Sequence, residues 1–299
     1  MVVLLKRVFS IPGDTGCRVI SVGNITAGGT GKTSLVMYIL EKLSTCNLKK
    51  GIAFSGGNKY TDEMEMIKRN FPDVKIFRKK EIKRFIKKGE KVGLDVLLID
   101  DGFHCHWIKK DVDILLIDAF SPFDNGFPIP SGLLREPKFF IKKADVLVIS
   151  HPFMEKEEKL KNLIQYLSKF EKPIFIMDYR IARVIGKDRV ISPEEVKGKK
   201  IMAFCGIGNP FNFFCLLNSL SPEKLVPLVF PDHFRYREKD INEICYLFLR
   251  SNCEMIITTE KDFVKIRKYE VEIPLYYIEN EVVIEKIKGA DFDTILKKR

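Results

Sequence analysis

An apolar run, Val19-Ile20-Ser21-Val22, breaks into a glycine-rich turn ending Gly31-Lys32-Thr33, and Leu35, Val36, Tyr38, Ile39, Leu40 and Leu43 then follow at helical spacing. Few folds accommodate a strand that passes through such a turn into a helix. Small residues let backbone N–H groups converge on an anion where the helix begins, so the junction is a phosphate cradle at one end of an α/β sheet. Thr26, Ala27, Gly28, Gly29, Thr30, Gly31, Lys32 and Thr33 form it, with Thr26 where the common pattern carries glycine. Lys32 can reach the outer phosphates of a nucleoside triphosphate, and the Thr33 hydroxyl is placed to ligate Mg²⁺. An ordinary glycine turn capping a helix is the competing reading, and the strand-loop-helix order weighs against it.

The rest of the chain repeats that architecture. Short β-rich runs at 51–55, 74–77, 95–100, 113–118, 145–150 and 173–177 alternate with helical patterns at 62–69 and 155–167. The alternation predicts a P-loop NTPase-like α/β fold, a mostly parallel sheet flanked by helices, with ligands at the carboxyl ends of its strands. Residues 179–199 are less periodic. The pattern restarts with strands at 200–205, 225–229, 255–258 and 274–278 and helices at 210–217 and 239–249, which predicts a second, smaller α/β lobe. Residues 1–178 are expected to form the nucleotide-binding core, and 179–299 the smaller lobe with a short C-terminal helical tail.

Composition narrows the partners. No stretch approaches the roughly 18 consecutive apolar residues of a membrane span. Residues 1–9 place Lys6 and Arg7 after the apolar positions, the reverse of a secretory signal, so a cytoplasmic location is expected. Seven cysteines are scattered without metal-ligand spacing and read as free thiols. A formal charge of +11 predicts attraction to something anionic. No basic pattern interleaved with aromatics of the kind used on single-stranded nucleic acid is present, and nucleic acid is not an expected partner. Lysine runs such as Lys79-Lys80, Lys83 and Lys87-Lys88 read as solvated helix faces and loops.

Val96-Leu97-Leu98-Ile99-Asp100-Asp101 is an apolar strand ending in two carboxylates, the usual complement of a phosphate loop, able to hold Mg²⁺ directly or through water. The run continues Gly102-Phe103-His104-Cys105-His106-Trp107. Together with Ser21 to Thr33, Leu133-Leu134-Arg135-Glu136-Pro137, Gly206-Ile207-Gly208-Asn209-Pro210, Phe230-Pro231-Asp232-His233 and Thr259-Glu260-Lys261-Asp262, it resembles the tetraacyldisaccharide 4′-kinases of lipid A synthesis, block by block and in order. Thr26 is that family's form of the loop.

The resemblance implies transfer of the γ-phosphate of ATP, with Mg²⁺, to the 4′-hydroxyl of an acylated disaccharide 1-phosphate. It implies Asp62 as the base that accepts the hydroxyl proton, His233 as its partner, and Arg135, Glu136 and Asn58 in contact with substrate. It also implies peripheral attachment to the cytoplasmic face of the inner membrane, with no obligate protein partner. Residues 1–9 offer an apolar cluster with Lys6 and Arg7 for this, shorter than the family's amphipathic segment. His104-Cys105 replaces the family's Gln-His, and Ser55-Gly56-Gly57-Asn58-Lys59 lacks an arginine at Gly56. Two other classes share the nucleotide half: a switch or partitioning-type ATPase, and a P-loop kinase or ligase acting on a soluble metabolite. Acceptor-activating groups at Asp62 and His233 separate a kinase from a switch.

Overall fold

The computed structural model describes residues 12–26, 30–54, 62–150, 157–232, 234–269 and 273–297, with residues 62 and 63 described by backbone alone. The chain forms two compact units, one running to Asp178 and resuming at Ile284, the other spanning Tyr179–Val283.

In the first unit, β1 (Arg18–Asn24), α1 (Lys32–Ser44), β2 (Lys50–Phe54), α2 (Asp62–Asn70), β3 (Lys75–Arg78), α3 (Lys79–Lys88), β4 (Val96–Asp100), β5 (Val112–Asp118), β6 (Val146–Ser150) and α4 (Glu157–Ser168) follow in order, and β7 (Ile174–Gly186) begins there. The strands lie in the order β7-β6-β5-β1-β4-β2-β3. Each of these neighbours is parallel. Apolar runs such as Val96-Leu97-Leu98-Ile99, buried on both faces, are what a helix-covered parallel sheet requires. β1 sits between β4 and β5, with Val22 opposite Asp100 on one side and Gly23 opposite Leu115 on the other. The connections diverge at β1, so the crevice beyond its carboxyl end is the ligand position of such a sheet.

The second unit holds β8 (Val190–Ile191), β9 (Lys200–Cys205), α5 (Pro210–Asn218), β10 (Lys224–Val229), α6 (Glu238–Ser251), β11 (Met255–Thr259), α7 (Glu260–Ile266) and β12 (Leu275–Lys288), which extends beyond it. Parallel pairing gives β10-β9-β11-β12. Asp262, wholly buried, braces it: its Oδ2 accepts the Gly206 N–H at 2.8 Å and the Thr259 hydroxyl at 2.8 Å, and Lys265 Nζ lies 3.0 Å from Oδ1. Two sequence blocks after β9 and β11 therefore meet through one carboxylate, which burial permits because every oxygen has a donor.

The lysine run read as a helix face is helical, and two features after it differ from the sequence expectation. Residues 79–88 form a capped helix, α3, that buries Ile82; Glu81 Oε2 accepts the Arg78 N–H at 2.6 Å, and Gly89 closes it at φ 68°. β7 continues well past residue 177, and Val184 and Ile185 pair antiparallel with β8. Residues 284–299 cluster with the first unit, whereas the sequence grouped them with the second. The physical reason is α8 (Phe292–Lys297): the Phe292 ring lies 5.0 Å from Phe175 and 6.1 Å from Tyr38, and the Arg18 guanidinium donates to the carbonyls of Ile295, at 2.8 Å, and Leu296. Burying one such aromatic contributes about 1.5–3 kcal/mol, and a cation at a helix C-terminus adds to it.

Candidate functional site

At the carboxyl end of β1 the chain packs tightly before it opens into the loop. A side chain at Gly23 would bring its Cβ within 2.5 Å of the Phe103 backbone N, so only glycine lets the segment after β4 close over β1. Asn24 follows, wholly buried. Its Nδ2 donates to the Thr26 carbonyl at 2.6 Å and its Oδ1 accepts from Lys32 Nζ at 3.2 Å. One side chain thus holds both ends of the loop. Thr26 is buried and bridges antiparallel to Leu134; Ala27, Gly28 and Gly29 lie outside the described residues. Thr30 is buried, and among the described residues its Oγ1 has no hydrogen-bond partner. Gly31, at φ 84°, admits the left-handed turn that starts α1, whose first turn carries no acidic residue. Its N-terminal N–H groups are electrostatically open to an anion.

β4 supplies the carboxylates. Asp100 is 8% exposed; Thr33 Oγ1 lies 3.4 Å from its Oδ2, and among the described residues its Oδ1 has no hydrogen-bond partner. Burial raises its pKa against the pull of Lys32. A buried carboxylate oxygen without a donor, beside a hydroxyl, is a donor set suited to a hard divalent cation. Among the described residues no three of His, Cys, Asp or Glu converge, so such a cation would take most of its ligands from phosphate and water.

Asp101 turns the chain at φ 52°, a left-handed conformation that aspartate tolerates. Arg135 NH1 lies 3.0 Å from both its carboxylate oxygens, Lys32 Nζ 3.8 Å from Oδ1 and His104 Nε2 3.6 Å from Oδ2, while Lys79 Nζ donates to its carbonyl at 2.6 Å. Burial pushes the Asp101 carboxyl up, but His104, Lys32, Arg135 and Lys79 outweigh it and hold the pKa below the usual value. Burial lowers Lys32, with Asp101 and Asp100 opposing. Burial likewise lowers the His104 pKa, against the pull of Asp101. Lys32, Lys79 and Arg135 thus bring three cations to the corner of the sheet that holds Asp100 and Asp101, the kind of charge that transferring phosphates require.

The Leu-Leu-Arg-Glu-Pro block reaches this corner through its backbone: the Arg135 N–H donates to the Ile25 carbonyl at 2.7 Å. Glu136 does not touch Arg135's partner; its Oε1 lies 3.2 Å from His106 Nε2, and the His106 ring lies 5.8 Å from that of Phe140. Of the residues read from sequence, Lys32, Thr33, Asp100, Asp101 and Arg135 come together, with Glu136 adjoining. Asp62 opens α2, its side chain outside the described residues, and Asn58 and His233 lie outside them altogether. Asn24 and Lys79 were not singled out as site residues, whereas His106 was a position that could take over a role from the family's Gln-His pair. Asn24 had a signal, an amide between the strand and the glycine turn; Lys79 had none beyond a lysine run.

The family model described as tetraacyldisaccharide-1-P 4′-kinase matches residues 3–56 and 53–299. A tetraacyldisaccharide 4′-kinase of Halothermothrix orenii is 34% identical over 96% of this chain and 85% of its own length, and one of Desulfatibacillum aliphaticivorans is 30% identical over 99% and 87%. Among solved structures, the "apo" form of LpxK from Aquifex aeolicus in complex with ATP is similar with a TM-score of 0.62 and 25% identity, over 95% of this chain and 89% of that one. A family match over nearly the whole chain, with relatives 30–34% identical over almost all of it, has one consequence: this chain belongs to the tetraacyldisaccharide-1-P 4′-kinase family.

Proposed function

We propose that the protein transfers the γ-phosphate of ATP to the 4′-hydroxyl of a tetraacyldisaccharide 1-phosphate. The observation that carries the reading is the corner where Lys32, Thr33, Asp100, Asp101 and Arg135 meet at the open N-terminus of α1. The α1 N–H groups and Lys32 bind the phosphates, and Arg135, steered by Asp101, faces charge that grows on the transferring group. Thr33 and Asp100 would hold Mg²⁺, which would supply charge neutralisation to the phosphates.

Asp62 is the proposed base. It accepts the hydroxyl proton as the new phosphorus–oxygen bond forms and the bond to ADP breaks, with His233 orienting the carboxylate. Asn58 and Glu136 are proposed to contact the disaccharide. The protein acts at the cytoplasmic face of the inner membrane, where such an amphiphile resides; among the described residues no helix is long and apolar enough to cross a membrane.

ADP release measured with and without acceptor tests this reading. A kinase is expected to need the acyl disaccharide 1-phosphate and to ignore a soluble disaccharide, while ADP release that is indifferent to acceptor would favour a nucleotide switch. Asp62→Asn is expected to lower turnover about 10²–10⁴-fold with ATP binding retained; wild-type turnover would remove Asp62 as the base.

A further inference from the structure

Between β5 and β6 the first unit presents an apolar tip that its core does not use. Phe120, Phe127, Ile129, Leu133 and Phe139 are each about half exposed or more, from 47% at Leu133 to 63% at Phe139. The same segment is anchored from behind by Leu134, Phe140 and Ile141, which are buried in the core cluster that also holds Ile25 and Phe103. The segment is therefore fixed at its base and apolar at its outer side.

Its backbone is the more telling feature. From residue 127 to 135 every N–H is already spent. Phe127 donates to Asn125 Oδ1 at 3.0 Å, Ile129 to the Leu134 carbonyl at 2.9 Å, Ser131 and Gly132 to the Pro128 carbonyl at 3.0 and 3.2 Å, Leu133 to Asp124 Oδ2 at 3.1 Å, Leu134 to the Phe127 carbonyl at 3.2 Å and Arg135 to Ile25. Pro128 and Pro130 have no N–H to satisfy. A loop that ordinarily faces water has donors left for it, whereas a backbone entering hydrocarbon must satisfy its donors internally. The most exposed run, Phe127-Pro128-Ile129-Pro130, meets that condition.

Charge selects the occupant. Lys142 and Lys143 are exposed, and Lys138 Nζ lies 4.9 Å from the Phe123 ring centroid and 3.0 Å from the position a Cβ on Gly126 would occupy, next to Phe127. Of the nearby carboxylates, Asp124 is engaged by the Leu133 N–H and Glu136 by His106. Aromatic and aliphatic tips ringed by lysine fit the boundary between acyl chains and anionic headgroups.

We infer that the segment from Phe120 to Lys143 is a bilayer-docking element, inserting Phe127 and Ile129 at the headgroup boundary of an anionic membrane while Lys138, Lys142 and Lys143 face its phosphates. This rests on the proposed activity for its purpose: two residues beyond Leu133, Arg135 reaches Asp101, so the docked tip sets the phosphate corner beside the surface that holds an acylated acceptor. It does not need residues 1–9.

Vesicle binding tests it without reference to turnover, so failure here is separate from failure of the kinase reading. The full chain carrying Phe127→Ser and Ile129→Ser is expected to partition onto vesicles of phosphatidylglycerol and phosphatidylethanolamine about tenfold or more weakly than wild type, with ATP binding and circular dichroism unchanged. Lys142→Glu with Lys143→Glu is expected to weaken partitioning at low salt and little at high salt. Since Trp107 is the sole tryptophan, a Trp107→Phe, Phe127→Trp protein reports depth directly: its emission should shift to the blue on vesicles and be quenched by brominated lipid chains. Unchanged partitioning of the Phe127→Ser, Ile129→Ser protein, or an emission that ignores vesicles, would overturn the proposal. So would a change of oligomeric state on those substitutions with vesicle binding intact, which would make the tip a contact between copies.

Discussion

The two edges of the first unit's sheet carry the same residue type to opposite ends. At the amino edge, Asp95, Asp111 and Asp145 each precede a strand and each accept a backbone N–H from the neighbouring segment: Lys49 at 2.7 Å, Val19 at 2.7 Å and Asp113 at 2.9 Å. At the carboxyl edge, Asp100 keeps one buried oxygen without a donor among the described residues, and the Asp101 carboxylate is held by side-chain cations. A carboxylate paired with its neighbour's backbone fixes register and is chemically spent. One left short of donors, beside a loop that gathers positive charge, is available to a ligand. The difference separates fold from chemistry within one sheet.

Substitutions at the two edges should therefore fail in different ways. The largest effect is expected at the carboxyl edge, where Lys32→Ala should lower kcat about 10²–10³-fold while leaving the urea midpoint near that of wild type. Equal loss of stability there would erase the contrast. Next comes Asp113, inside β5, whose pKa burial pushes up to about 6 despite Lys110 Nζ 2.7 Å away. Because the folded state binds this proton more tightly than the unfolded chain, its contribution to stability falls as pH rises from 3.8 through about 6, by up to about 3 kcal/mol, and is level above that. Asp113→Asn should flatten that slope in urea unfolding followed across the window. At the amino edge, Asp111→Ala leaves the Val19 N–H short of an acceptor and should cost about 1–3 kcal/mol of stability, with kcat of the folded fraction unchanged. A fall in kcat at constant stability would place Asp111 in the chemistry after all.

Much of this was legible in sequence, for a physical reason. Lys32, Thr33, Asp100 and Asp101 follow directly on buried strands, so strand periodicity alone delivers them to one edge of a parallel sheet. Arg135 and Glu136 carried no such signal and came from the family resemblance; a backbone bond to Ile25 places them at that edge. Lys79 reaches Asp101 only because β3 and α3 run beside β2, a tertiary fact that a lysine run does not disclose. The amino-edge aspartates were equally silent, since an aspartate before a strand reads as a turn residue until its partner is known. The length of β7 was obscured because Tyr179 to Gly186 mixes buried and half-buried positions with exposed Arg180 and Arg183, without the continuous apolar run of β4. In the second unit, Thr259 to Asp262 entered as one of the blocks that carry the family resemblance, and the structure shows its aspartate acting as a brace with both carboxylate oxygens engaged.

The most direct measurement is the fate of labelled γ-phosphate when ATP, Mg²⁺ and purified tetraacyldisaccharide 1-phosphate are incubated with the wild-type protein and with Lys32→Ala. The wild-type protein should place the label in a phosphate monoester at the 4′ position of the lipid, and Lys32→Ala should leave it in ATP. Label recovered from the wild-type protein as inorganic phosphate, with the lipid unchanged, would contradict the assignment of this corner to phosphoryl transfer.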